Sequence, residues 1–242
     1  MKQNIYDNPV FFQGYQNLRS EEKGLNVVLE EPAFRSLLPE LAGKVILDLG
    51  CGFGKFAAWA VSDGAAEVTG VDISEKMLHE ARRGVDRPNV RFVHEAVEDY
   101  AIPESRFDLI VSSLCFHYVQ DICPVFRRIH RGLKANGRFV FSVEHPICTS
   151  LLQGWERDAS GRRRHWPVDR YREEGLRVSR WFVDGVIKYH RTVETYVNTL
   201  IDASFSIRRL LEPEAKPEFL ARRPDLLDDA RRPPFLLLAA EK

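Results

Sequence analysis

The 242-residue sequence has no apolar stretch near the roughly 18 residues that a membrane span requires, and its longest late run, Phe235 to Ala240, is the size of a strand. The expectation is a protein that does not cross a bilayer. Net charge is also missing: 35 basic and 35 acidic residues cancel, so the positive field that non-specific nucleic-acid binding needs is absent. Nucleic acid is therefore disfavoured as a partner. The four cysteines, Cys51, Cys115, Cys123 and Cys148, form no C-x-x-C pair, which argues against a disulfide framework and a zinc site alike. The first residues, MKQNIYDNPVFF, lack the basic start and apolar middle of a signal peptide. Together these features predict a cytoplasmic protein whose chain starts at Met1. Internal repeats and low-complexity tracts are absent too.

What is present is ordinary globular material: 44% hydrophobic and 29% charged residues leave enough apolar chain for a core and too little charge bias for disorder. Short Val, Ile, Leu and Phe-rich runs at 44–49, 67–71, 90–94, 107–112 and 138–143 alternate with helical patterns at 54–62, 75–83 and 121–133. Asn136 and Gly137 stand as the stop of the last of these. That alternation predicts a parallel sheet covered by helices on both faces. Helices are expected at 10–19 and 25–38, the second broken by Pro32. A closing helix is expected at 192–203, with strands near 205–211 and 234–240 joined by a loop marked by Pro213, Pro217, Pro224 and Pro233. One domain results: N-terminal lid helices (1–40), a core (41–143), an aperiodic insertion (144–190) and a C-terminal helix with strands (191–242).

The strongest chemical signal is VILDLGCGFG, residues 45–54, where an apolar strand runs into Gly50, Gly52 and Gly54 and opens a helix. Glycines there let a ligand approach the backbone at the carboxyl end of the sheet. A dinucleotide fingerprint needs glycine at 55, where Lys55 stands, so pyrophosphate cradling and an NAD-dependent oxidoreductase are disfavoured. The next strand, VTGVDIS, ends in Asp72, an acid placed to accept both hydroxyls of a ribose or, more blandly, to cap the following helix. Glu95 and Ala96 end the third strand, where a carboxylate and an amide can read an adenine edge.

These segments together resemble class I S-adenosylmethionine-dependent methyltransferases, and within them the type 11 group, over about residues 40–145. The resemblance implies a Rossmann-like, mostly parallel seven-stranded sheet with helices on both faces, and S-adenosylmethionine as cofactor, with S-adenosylhomocysteine as product. It places Gly50, Cys51, Gly52 and Gly54 along the methionine half and Asp72 on the ribose. Ile73 and Met77 fall beside the adenosine, Glu95 and Ala96 on the adenine, and Ser112, Ser113 and Leu114 at the sulfonium end. Asp48 would orient the loop or the cofactor amine. IYDNPVFFQGYQNLR resembles the family's lid helix, making Tyr15 and Arg19 candidates for the cofactor carboxylate.

Methyl transfer from a sulfonium demands alignment more than activation, with a base where the acceptor carries a proton. Histidine is the natural base. His117 and His145 follow the fourth and fifth strands at the carboxyl edge, while His190 and, with least support, His165 lie in the later chain. Ten Lys or Arg against six Asp or Glu in residues 151–191 leave an acidic acceptor open, and Trp155, Trp166 and Trp181 can wall an apolar or aromatic pocket but more simply supply a mini-core. The absence of an N-P-P-Y turn after the fourth strand marks down nucleobase amines, and the absence of Pro-Cys marks down cytosine C5 chemistry. Cys115 and Cys148 read as buried apolar thiols. No clustered Asp pattern suggests a metal. The resulting expectation is an enzyme methylating a small-molecule oxygen or nitrogen, against a non-catalytic S-adenosylmethionine-binding module. A homodimer is one arrangement open to either.

Overall fold

The computed structural model describes residues 2–20, 24–215, 220–221, 223 and 226–242. Pro217 and Pro224, expected to mark the late loop, lie outside them. Five strands run parallel: β1 (Val45–Leu49), β2 (Glu67–Asp72), β3 (Val90–His94), β4 (Phe107–Ser112) and β5 (Leu133–Glu144). Two closing strands, β10 (Ser206–Leu211) and β11 (Phe235–Glu241), pair antiparallel, with β11 inserted between β10 and β5. The order is β10-β11-β5-β4-β1-β2-β3, so strand order reverses between β1 and β4. That switch point opens a crevice at the carboxyl ends of the strands.

Continuous apolar strands are explained by cover on both faces. From β1, Leu47 and Leu49 enter one core with Phe126, Phe139, Phe141 and Tyr196, while Ile46 enters the other with Phe34, Ala57 and Leu237. Helices α5 (Cys123–Gly132) and α7 (Val193–Asp202) pack on the first face, and α2 (Glu31–Ser36) and α3 (Lys55–Ser62) on the second. By alternation Asp48 points to the side of α2 and α3, which makes it a carboxylate inside a hydrophobic layer.

Local sequence sets the helix ends. Asn8 accepts the N–H groups of Val10 and Phe11 and starts α1 (Pro9–Ser20) with proline in its first turn. Ser74 accepts the Met77 N–H and caps α4 (Glu75–Gly84). Pro32 interrupts the helical run as expected: the wide π-type turn Asn26–Glu30 stands directly before it, and Pro32 falls in the first turn of α2. Asn136 differs from expectation. α5 ends at Gly132, and Asn136 takes a left-handed conformation (φ 61°) inside the long β5.

The insertion is more regular than its sequence. After the short α6 (Pro146–Ser150) come a small ribbon of β6 (Glu156–Arg157) and β7 (Arg163–His165), then a hairpin of β8 (Gly175–Trp181) and β9 (Val183–His190). Gln3 binds the hairpin through the Gly185 carbonyl (2.7 Å) and the Ile187 N–H (2.8 Å), and Phe11 packs edge-on to Trp181 and Phe182. The N-terminal segment and the hairpin thus meet over the carboxyl edge of the sheet. No helix among the described residues is long and apolar enough to cross a membrane.

Candidate active site

A cavity of about 1800 Å³ lies at that edge, under the N-terminal segment and the hairpin. Its floor is the loop after β1. Gly50 (φ 79°) has a second reason to be glycine: an added Cβ would lie 2.6 Å from the Cys115 sulfur. At Gly52 (φ 51°) nothing stands within 4 Å of where a Cβ would be, so the backbone there is bare to approach.

Asp72 ends β2 with its carboxylate fixed by two backbone donors, Gly52 N–H (2.8 Å) and Ser74 N–H (2.9 Å). Burial raises its pKa, and those two N–H bonds partly offset the effect. Its neighbour Asp48 accepts no hydrogen bond among the described residues; burial, then the charge of Asp72, pushes its carboxyl up to about 8. The N-terminal segment closes over the same strand end. Asp7 accepts from the Ser74 hydroxyl (2.6 Å) and the Lys76 N–H (3.2 Å), and Asn4 donates to the Ile73 carbonyl (3.0 Å).

The residues expected around the donor come together. Tyr15, Arg19, Asp48, Gly50, Cys51, Asp72, Ile73, Met77, Glu95, Ala96, Ser113 and Leu114 all line the cavity. Gly52, Gly54 and Ser112 support it from behind: Gly52 donates to Asp72, Gly54 precedes α3, and the Ser112 hydroxyl ties β4 to the Leu49 carbonyl at 2.7 Å. Glu30 joins the site from outside the motifs named above. It is 1% exposed and accepts from Ser113 (2.9 Å) and Ser142 (2.5 Å), which fixes the β4 loop; burial raises its pKa against those two hydroxyls. An acid in an otherwise apolar helical pattern was the available signal. Tyr6 was missed as well. It shares a hydrogen bond with Tyr118 and stands edge-on to Tyr15, building an aromatic wall.

The histidines separate sharply. His145 caps α6 by accepting the Ile147 N–H on Nδ1 (3.2 Å), and its Nε2 meets Glu212 at 2.8 Å, so both nitrogens are occupied away from the cavity. His190 is fully buried, its Nε2 donating to the Tyr171 carbonyl (2.9 Å) and its Nδ1 facing the Thr149 hydroxyl (2.8 Å). His165 is exposed on β7. His117 alone of these four reaches the cavity. Burial pushes its pKa down to about 4, so the ring is neutral at pH 7. Its Nδ1 accepts the Glu144 N–H (3.4 Å), which leaves the ring proton on Nε2. That tautomer offers a donor, not the lone pair expected of a base.

Trp166, Trp181, Tyr189, Glu144, Cys148 and Arg232 also line the cavity, Trp181 packing edge-on against Tyr15. Burial would raise the Glu144 carboxyl, but the Lys188 ammonium at 2.6 Å more than offsets it and keeps the group below its usual value. The basic excess of the insertion does not converge here. Arg162 and Arg180 have side chains 83% and 81% exposed and pair locally with Asp158 and Asp184.

S-adenosylmethionine fits this lining. The donor brings two positive groups and a carboxylate. Asp48 is an unpartnered buried acid, Arg19 has a buried Nε without a partner among the described residues, and Gly50 presents backbone to the cavity.

The chain matches the methyltransferase domain family over residues 47–141. It is 44% identical to a crystal structure of an S-adenosylmethionine dependent methyltransferase from Mesorhizobium loti, with a TM-score of 0.83 over 88% of this chain and 97% of the other. An uncharacterized protein of Haemophilus influenzae is 39% identical over the whole of this chain and 98% of its own length. With the switch-point crevice, the bare loop and the paired acids of β1 and β2 in place, the chain belongs to the class I S-adenosylmethionine-dependent methyltransferases.

Proposed function

We propose that this methyltransferase alkylates an oxygen or nitrogen of a small, flat acceptor held beside His117. The carrying observation is continuity: one cavity runs from Asp72 and Asp48 past the Leu114–His117 turn to the aromatic walls of Trp166, Trp181 and Tyr189. When bound, S-adenosylmethionine supplies a methyl group on a positively charged sulfur, so the protein's task is alignment and exclusion of water. Asp72 would hold the ribose, exchanging one or both of its backbone donors for sugar hydroxyls. Asp48 and Arg19 would take the amine and carboxylate, and Glu95 with Ala96 the adenine. Tyr6, Tyr15, Tyr118 and the hairpin cover the crevice and keep water out. His117, fixed by the Glu144 N–H, would meet the acceptor through Nε2–H. A donor at that place suits an acceptor oxygen, whose lone pair it orients without consuming it.

A cavity roofed by the N-terminal segment and the hairpin, with no net positive charge on the protein, favours a small molecule over a nucleic acid. Four free thiols suit a reducing, cytoplasmic setting. The test is calorimetry with S-adenosylhomocysteine followed by a screen of small acids, phenols and amines for S-adenosylhomocysteine release. Asp72→Ala should lose at least tenfold in affinity, since hydrogen bonds to a charged group contribute about 1.5–3 kcal/mol. Unchanged affinity in that variant contradicts the ribose assignment. Tight binding without release from any acceptor would favour a non-catalytic module.

A further inference from the structure

We propose that Arg232 holds an anionic oxygen group of the acceptor, so that this site takes small aromatic acids; the assignment rests on the methyl-transfer reading above. Arg232 lies outside the insertion, between the turn Asp229–Arg231 and β11, and lines the same cavity as Asp48 and Asp72. In the sheet β11 is two strands from β4. Two strand spacings are about 10 Å, the span of a substituted aromatic ring reaching from the Leu114–His117 turn.

The surroundings of this guanidinium leave it short of negative charge. Its side chain is 11% exposed and stacks on Trp166, 3.9 Å from the ring centre. One terminal nitrogen reaches Asp229 at 3.0 Å, the other the Cys148 sulfur at 3.1 Å, and Nε has no partner among the described residues. Asp229 is shared, since Arg163 approaches it to 3.5 Å, and Asp228 is taken by Arg231 at 2.9 Å with Arg163 at 3.9 Å. Three guanidiniums therefore face two carboxylates. Glu144, which lies within electrostatic reach of Arg232, is held by Lys188 at 2.6 Å, and Glu212, which lines a small pocket beside Arg232, is paired with His145 at 2.8 Å. A buried cation with a fractional partner is costly, and a ligand carboxylate or phosphate, which the planar guanidinium binds in two-pronged fashion, would complete the balance. The adjoining indoles of Trp166 and Trp181 offer flat apolar walls to the ring that carries it.

The experiment titrates the enzyme, saturated with S-adenosylhomocysteine, with 4-hydroxybenzoate, 4-aminobenzoate and 4-hydroxyphenyl phosphate, and with the neutral 4-hydroxybenzamide and 4-aminobenzamide. At least one acid should bind tenfold or more tighter than its neutral partner, and the carboxylate and phosphate arms show which oxyanion the site takes. Arg232→Gln should bring acid and amide to equal affinity while S-adenosylhomocysteine affinity stays within twofold. Arg232→Lys, which keeps the charge, should retain a weakened preference, separating lost recognition from lost folding. Equal binding of acids and amides, acid binding that survives Arg232→Gln, or no binding of any acid overturns the proposal. Failure of the wild-type protein to bind S-adenosylhomocysteine would instead overturn the reading beneath it.

Discussion

The Asp48 carboxyl makes donor binding a proton-linked event. In the free protein its pKa stands at about 8 because burial, and then Asp72, disfavour the charge. At pH 7 about nine in ten molecules therefore carry it neutral. If the donor's ammonium selects the ionised form, binding at pH 7 expels close to one proton. Apparent affinity then falls about tenfold for each pH unit below 8, about 1.4 kcal/mol per unit. Calorimetry of S-adenosylhomocysteine binding in phosphate and in Tris at pH 7 reads the proton directly, because the two buffers differ widely in ionisation enthalpy. The wild-type heat should depend on buffer with a slope of about 0.9 proton. Asp48→Asn should show almost none, with affinity flat between pH 6 and 9. A buffer-independent heat in the wild type, or an equal slope in the variant, refutes the reasoning. The same group predicts a stability trend. Its folded value lies above its ordinary value of 3.8, so folding takes up a proton, and the contribution of this one group to stability is fully present below about pH 4 and is lost as pH rises to about 8. Asp48→Asn should flatten that decline in thermal melts.

Other outcomes follow from single contacts. Gly50→Ala meets the Cys115 sulfur and an unfavourable φ together, and should cost about 2–4 kcal/mol, read as a drop of about 5–15 °C in Tm. His145→Ala should keep turnover while losing about 1 kcal/mol of stability, because that ring caps α6. His117→Ala should lower turnover about 10-fold or more with S-adenosylhomocysteine affinity kept; normal turnover would remove it from the acceptor site. Lys188→Met removes the 2.6 Å partner of the part-buried Glu144 carboxylate and should destabilise the fold by about 1–3 kcal/mol in denaturant titration, with Glu144→Gln in the same chain restoring most of it.

The sheet was legible because its strands carry uninterrupted apolar runs: the observed bounds of β3 and β4 are those expected, and β1 and β2 differ by one residue. The donor half of the site was legible for a related reason. Gly50, Asp72 and Ala96 sit where strands end, and a strand end is a sequence feature. The β8–β9 hairpin was not. Its tip carries the Asp184-Gly185 pair, with Gly185 left-handed (φ 82°), but Phe182 is left-handed too (φ 57°) and the register shifts there, so the flanking residues show no clean alternation, and contacts of Phe182 with Phe11 and Trp181 hold the bend. Position beside a strand also could not show which histidine faces inward. His117 and His145 stand alike in the sequence, and only the Ile147 N–H and Glu212 turn the second away. Arg232 lay beyond reach because its charge balance depends on Asp229 and Arg163, the latter 69 positions earlier in the chain.

The opening residues of the chain belong to two walls at once. Asn4 and Asp7 are fastened to the turn after β2, where the donor's sugar would lie, and Gln3 to the hairpin above the acceptor. A single strap that roofs both halves cannot lift from one without slackening the other. Traffic at the two ends should therefore be coupled: trimming residues 2–8 is expected to quicken the release of S-adenosylhomocysteine and of methylated product together, and release rates that change for one alone would count against the shared strap.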